Sequence, residues 1–479
     1  MTSCKLLVVG AGQAGQLLVN NIKEQTDLQW QVVGFVDDNL SEKYYCDIPI
    51  LGSVDDLPKI VQEQGIEKVI IAIPSERGFF LRRVLLLLAE QNKVELLLLP
   101  RVSEIVFNNK ATYKDLRRLE IEDIVGEMIV KSDQLKLTEH FKNEVVLVTG
   151  GGGSIGAELS KQIYLLKPQK LIILDCTEKN LFYIKKVLDS LSDLNILTEV
   201  IPILGNINNA ILLEYLFQRH NIDIVFHAAA YKHVPIIEDN VYEGVFNNVM
   251  GTYNIANLSG KFACQRFILI STDKAVLPSN VMGKTKRAAE KIVDYFGSVF
   301  SKTVYTAVRF GNVFNSSGSA VEVFLDQLDK KNTLTITDPE MTRYFMTIPE
   351  AVHLVLQASF ITKGNGEKYM LEMGDPINIF DLAKCLVRLK GYKISEVDFE
   401  VIGKRPGEKK HENLFSPTTE QKMPTSHKRI FVIVPNGSEN FAQLHNDVLK
   451  LFEALNTEEA ANHSTEGANI LLRYLDKLL

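Results

Sequence analysis

Phe267-Ile268-Leu269-Ile270-Ser271-Thr272-Asp273-Lys274 decides the fold of this chain, together with Met282-Gly283-Lys284-Thr285-Lys286 just beyond it. The four apolar residues read as a strand buried on both faces, the mark of a parallel sheet. A strand that ends in Ser-Thr-Asp-Lys sets hydroxyls, a carboxyl and an amine at its carboxyl end. Open α/β sheets bind their ligands there. A charged helical pattern follows from Lys284 to Phe296. Residues four apart share a helix face, so Met282 and Lys286 are expected to point the same way.

Two glycine loops lie upstream, each between a strand pattern and a helix pattern. The first is Gly10-Ala11-Gly12-Gln13-Ala14-Gly15 after Lys5 to Val9. A second strand, Gln31 to Val36, ends at Asp37-Asp38, and Lys68 to Ile73 and Val94 to Leu99 add two more αβ units. The second loop is Gly150-Gly151-Gly152-Gly153-Ser154-Ile155-Gly156 after Val145 to Val148. Bare backbone N–H groups at a helix N-terminus hold a pyrophosphate, which makes Gly150, Gly153, Ser154, Ile155 and Gly156 candidates. Leu171 to Leu174 is closed by Asp175, 19 residues after Gly156. The offset suits a carboxylate on an adenosine ribose. It would repel a 2′-phosphate, so NAD is favoured over NADP. The second loop is therefore expected to hold the cofactor and the first to be a scaffold.

Val200 to Leu204 leads to Gly205-Asn206-Ile207, where the Asn206 amide can read an adenine edge. Ile224 to Phe226 leads to His227-Ala228-Ala229-Ala230-Tyr231-Lys232-His233-Val234-Pro235. Small Ala228 and Ala229 let the backbone approach a flat ring, and Lys232 is placed to meet a phosphate. His233 is given no chemical role.

These blocks resemble an extended short-chain dehydrogenase/reductase, with Met282 in the tyrosine position of the Tyr-x-x-x-Lys pair. Four further blocks narrow the likeness: Val308-Arg309-Phe310-Gly311-Asn312-Val313, Thr337-Asp338-Pro339-Glu340-Met341-Thr342-Arg343-Tyr344-Phe345-Met346, Met373-Gly374-Asp375-Pro376 and Arg405-Pro406-Gly407-Glu408-Lys409. Residues 1 to about 430 resemble the polysaccharide-biosynthesis UDP-N-acetylglucosamine 4,6-dehydratases, in their Met-for-Tyr subtype. Larger members of that family carry membrane helices before the first glycine loop, and none is read in this chain.

The resemblance implies an α/β protein with two Rossmann-like doubly wound parallel-sheet domains. The expected division is 1–105 for the first, 106–140 for a connector, 141–430 for the catalytic domain and 431–479 for a helical tail. The sugar nucleotide would sit mainly on 310–430. It further implies a homo-oligomer.

In the implied reaction C4 of the sugar is oxidised, water leaves across C5 and C6, and C6 is reduced. Lys274 is the expected base at C5, which requires it to be neutral; neighbouring positive charge favours that. Asp273 is the expected acid for the C6 hydroxyl. A thioether neither takes nor gives a proton, so the C4 hydroxyl proton is routed through Thr272 and water, with Asp273 as terminal base. Lys286 binds the nicotinamide ribose. Asn312, Arg343, Arg405 and Glu408 form the expected UDP-sugar clamp, since a guanidinium fork matches phosphate oxygens. A UDP-hexosamine 4-epimerase and a non-catalytic nucleotide sensor remain as alternatives.

Composition sets outer bounds. The 479 residues suffice for two or more domains, and 46% hydrophobic content supports large cores. A net charge of −6 supplies no basic field for nucleic acid. The five cysteines are scattered without metal-ligand spacing, which fits a reducing compartment and no metal. The apolar run Val84 to Ala89 is too short to span a bilayer. Met1-Thr2-Ser3-Cys4-Lys5 runs into a strand pattern without an apolar leader. A cytoplasmic location is expected.

Overall fold

The computed structural model describes residues 3–25, 29–39, 44–45, 47–74, 78–91, 93–100, 112–125, 134–191, 196–364, 366–437, 440–461 and 464–479. Residues 106–111 and 126–133 of the expected connector lie outside them. The chain divides into two compact units.

One unit combines Met1–Glu127, Ser319–Met341 and Ile377–Gly403. Strands β1 (Cys4–Val9), β2 (Trp30–Val36), β3 (Lys68–Ile71) and β4 (Glu95–Leu98) pair in the order β2-β1-β3-β4, all parallel. A short strand, β5 (Arg117–Arg118), closes the edge antiparallel. Leu6, Leu7, Val8 and Val9 are fully buried, as expected of a parallel strand covered on both faces. Helix α1 (Gln13–Lys23) starts from the first glycine loop, and α2 (Phe79–Leu87) follows β3. The helix Ile379–Leu389 packs on α2. From its end Arg388 donates to the carbonyls of Leu88 (3.0 Å), Gln91 (3.0 Å) and Val94 (2.6 Å). Two of these oxygens also accept backbone N–H groups, Leu88 O from Gln91 and Gln91 O from Val94, so Arg388 ties the turn after the helix together. Two segments of the 310–430 stretch, Ser319–Met341 and Ile377–Gly403, thus belong to this unit.

The other unit combines Met128–Gly318, Thr342–Pro376 and Lys404–Leu479. Its nine strands are β6 (Val145–Thr149), β7 (Lys170–Asp175), β8 (Glu199–Leu204), β9 (Ile224–His227), β10 (Arg266–Ile270), β11 (Val304–Arg309), β12 (Glu367–Leu371), β13 (Glu420–Pro424) and β14 (Ile430–Pro435). They pair in the order β8-β7-β6-β9-β10-β11-β12-β14-β13. The first seven are parallel; β14 pairs antiparallel with both β12 and β13. The tail expected to be helical from 431 therefore begins as a strand. Ile430-Phe431-Val432-Ile433-Val434 is β-branched and aromatic, and it finds the open edge of β12. Helices Phe441–Leu455 and Thr465–Lys477 come after it.

Along the central strands alternate residues enter two different cores. Leu147, Val225, Phe267 and Leu269 join one, and Val146, Phe226, Ile268 and Val308 the other. Successive strand side chains point to opposite faces, and helices cover both. The order reverses between β6 and β9, which opens a crevice at their carboxyl ends. No helix among the described residues is long and apolar enough to cross a membrane.

Candidate active site

The second glycine loop turns from β6 into α3 (Ser154–Leu165). Gly150 has φ +63°, and a Cβ there would lie 2.7 Å from the backbone of Ala229 after β9. A Cβ at Gly156 would lie 2.0 Å from the Gly150 carbonyl oxygen. The loop thus fits only glycine at both positions. The N-cap is Gly153, which offers no side-chain oxygen to the first-turn N–H groups. Asp175 ends β7 almost fully buried; its carboxylate accepts the N–H groups of Gly152 (2.9 Å) and Thr177 (2.9 Å). It thereby holds the loop, and each oxygen keeps a further acceptor site. Uncapped helix donors, a side-chain-free approach and a fixed acid suit a dinucleotide. Asn206 is exposed and accepts the Asn208 N–H, whereas Ile207 is buried under Gly251.

β10 delivers the stretch expected to be catalytic. Thr272 caps a single 3₁₀ turn, Asp273–Ala275, through its hydroxyl oxygen. The same hydroxyl donates to Asp273 Oδ1 at 2.8 Å. Lys274 Nζ donates to Asp273 Oδ1 at 3.0 Å and to Asn312 Oδ1 at 3.1 Å. Asp273 is fully buried and its Oδ2 has no hydrogen-bond partner. Gly311 leaves room beside that atom: a Cβ there would be 3.4 Å from it.

Helix α4 (Val281–Val299) begins at Asn280, whose side chain accepts the Gly283 N–H. Met282 lies in the apolar core with Val281, Ala288 and Ala289. Lys286 is buried and donates to the Ile270 carbonyl at 2.6 Å. Burial lowers its amine to about 8, against the opposing pull of Glu290. Glu290 itself is clamped by Arg309 and accepts from Ser271 Oγ at 2.6 Å. Burial alone would raise the Glu290 carboxyl, but the Arg309 guanidinium overcomes this and holds it below its usual range. Arg309 also pairs with Glu420. This buried network ties β11, α4 and β13 to the end of β10.

Asn248 was missed by the sequence reading. It sits in a π-helical turn, Phe246–Met250. Its amide accepts the Tyr231 N–H (2.8 Å) and donates to the Tyr231 carbonyl (3.0 Å) and to Thr285 Oγ1 (3.0 Å). It thus fastens the loop after β9 to α4. The signal was a polar pair, Asn247-Asn248, inside an apolar helical stretch.

The expected sugar-nucleotide clamp is only partly assembled. Asn312 joins Lys274, as above. Arg343 does not offer its fork to a ligand. Its Nη1 donates to the carbonyls of Thr342 and Lys410, and its Nη2 to that of Lys409 and to Glu408. Buried, it straps the 408–410 segment down, and carbonyls have taken the donors a phosphate would need. Glu408 also accepts the Arg405 N–H, while Arg405 and Lys232 are exposed. Glu412 is a second missed residue; it lies buried among Lys274, Asp273, Arg343 and Lys409.

Comparison with known proteins gives the chain a family. Residues 146–435 match the family described as polysaccharide biosynthesis protein, and residues 3–100 match a CoA-binding domain. The capsular polysaccharide biosynthesis protein CapD of Staphylococcus aureus is 39% identical over 413 residues, covering 86% of this chain and 68% of that protein. The probable polysaccharide biosynthesis protein EpsC of Bacillus subtilis is 37% identical, covering 95% and 77%. A UDP-glucose 4-epimerase of Rickettsia rickettsii is 33% identical, covering 69% and 94%. The X-ray structure of Pen from Bacillus thuringiensis is 29% identical, covers 63% of this chain and 90% of that one, and superposes with a TM-score of 0.55. Fold and site define an extended short-chain dehydrogenase/reductase of the nucleotide-sugar dehydratase/epimerase type. Within that class the chain belongs to the polysaccharide biosynthesis protein family of CapD and EpsC.

Proposed function

We propose that this protein is an NAD-dependent UDP-N-acetylglucosamine 4,6-dehydratase. The observation that carries the reading is the Thr272–Asp273–Lys274–Asn312 cluster, with a buried and unpartnered Asp273 Oδ2. A reaction confined to C4 has no use for an acid and a base beyond the C4 proton acceptor. Elimination across C5 and C6 needs both.

Bound NAD supplies the oxidation at C4 and the reduction at C6. Gly150 to Gly156 and Asp175 would hold its adenosine end, and Lys286 its nicotinamide ribose. Thr272 Oγ1 already donates to Asp273, so it can accept the C4 hydroxyl proton while passing its own to that carboxylate. Met282 is buried in the core and takes no part in this transfer. Lys274 removes the C5 proton and afterwards returns one. Asn312 orients the Lys274 amine. Arg405 and Lys232 offer exposed charge to the diphosphate.

The second reading, a UDP-hexosamine 4-epimerase, draws on the Rickettsia relative. Substrate deuterated at C4 separates the two. A dehydratase loses one water and moves the label to C6; in D₂O it places deuterium at C5. An epimerase returns the label to C4 with no change of mass. Label kept at C4 would refute the dehydratase reading.

A further inference from the structure

Two buried carboxyl oxygens without a hydrogen-bond partner occur among the described residues: Asp273 Oδ2 and Glu412 Oε2. They belong to one locality. Lys409 Nζ stands 4.0 Å from Glu412 Oε2 and donates to the Val276 carbonyl at 2.8 Å, just past the Asp273 turn. The Gly407 carbonyl accepts from Ser279 and Asn280. Arg343 holds the Lys409 and Lys410 carbonyls. The segment 407–412 is thus fastened over the loop that carries Asp273 and Lys274. Glu412 and Asp273 are near enough to repel each other.

A buried carboxyl oxygen without a hydrogen bond is costly. It is tolerated where a ligand completes it. A hexose undergoing loss of water presents two reacting hydroxyls, at C4 and C6, and one such oxygen lies on each of the two segments fastened together here. Burial pushes the Glu412 carboxyl up. The cations of Lys274, Arg343 and Lys409 pull it down, and the Asp273 charge adds to the rise.

We propose that Glu412 is a catalytic residue, the general acid that protonates the departing C6 hydroxyl. This rests on the dehydratase reading and relieves Asp273 of one of two duties. After oxidation at C4 by the bound nicotinamide dinucleotide, Asp273 holds the C4 hydroxyl proton. Lys274 takes the proton from C5. The C5–H electron pair becomes the second bond between C5 and C6, and the C6–O bond breaks with its pair. Glu412 gives that oxygen a proton, and it leaves as water. One proton passed from Asp273 to Glu412 then restores both carboxyls. With C6 reduced, Lys274 returns a proton to C5.

Glu412→Gln keeps the side-chain volume and removes the proton. With UDP-N-acetylglucosamine, water loss is expected to fall about 10²–10⁴-fold, with NAD still bound. The 6-deoxy-6-fluoro analogue departs as fluoride and needs no proton donor of this kind. The variant should release fluoride within a few-fold of the wild-type rate. A merely structural Glu412 would slow both substrates alike, and that result overturns the role, as does an unchanged rate of water loss. If the wild type itself removes no water, the dehydratase reading fails and the role falls with it. If the wild type removes water and Glu412→Gln does too, only the role fails.

Discussion

Gly153→Val and Gly156→Ala should separate the two duties of the second glycine loop. Gly153 has an ordinary extended backbone, φ −71° and ψ 171°, and a Cβ on it would lie 3.3 Å from the Gly150 oxygen. A small local adjustment accommodates that. At Gly156 the same atom would lie 2.0 Å from a backbone oxygen, so the loop itself must move. Forcing such a contact costs about 1–3 kcal/mol. The apoprotein with Gly156→Ala should therefore melt earlier, and the apoprotein with Gly153→Val close to wild type. In the Gly153 variant the isopropyl group stands before the first-turn N–H groups. Losing two hydrogen bonds to a charged phosphate, at about 1.5–3 kcal/mol each, amounts to about 3–6 kcal/mol. That is roughly 10²–10⁴ in NAD affinity. Thermal melts and titration with NAD read the two effects. Gly12→Val is the control: nothing lies within 4 Å of a Cβ there, and bound NAD should not change. Full NAD binding by Gly153→Val, or its loss in Gly12→Val, would refute the assignment of the cofactor to this loop.

Lys274→Ala should retain NAD yet lose water elimination, with transient NADH absorbance marking C4 oxidation; an unchanged rate of water loss would end its role as base. Lys286 makes a pH-dependent prediction. Its folded value of about 8 lies below the ordinary lysine value of 10.5, so between these the unfolded chain binds more protons and stability should rise with pH. Below about pH 8 the amine is charged in both states, and its burial is a constant cost. The same loss of charge should weaken NAD binding as pH rises through about 8. Lys286→Met should flatten both profiles, and profiles left unchanged by it would exclude Lys286 as their source.

Local sequence determined the α/β class and the strand–loop–helix order around Gly150 to Gly156. Strand period, apolar runs and glycine sterics act between near neighbours, so they are readable without tertiary context. The Ser271–Lys274 stretch was legible for the same reason: it closes a strand whose burial its own residues announce. Partnership was not legible. Nothing in Arg343 reveals that carbonyls of 409 and 410 take its donors. Nothing in Glu412 reveals that its segment is fastened over the loop of Asp273 and Lys274 with one buried oxygen lacking a hydrogen bond. Nor does 319–341 or 377–403 disclose which unit it completes, since its apolar faces would suit either core. Tertiary structure decided these points, because a hydrogen bond is settled by which donors and acceptors meet once distant segments pack, and only that packing determines which carboxyl oxygens are left for a ligand.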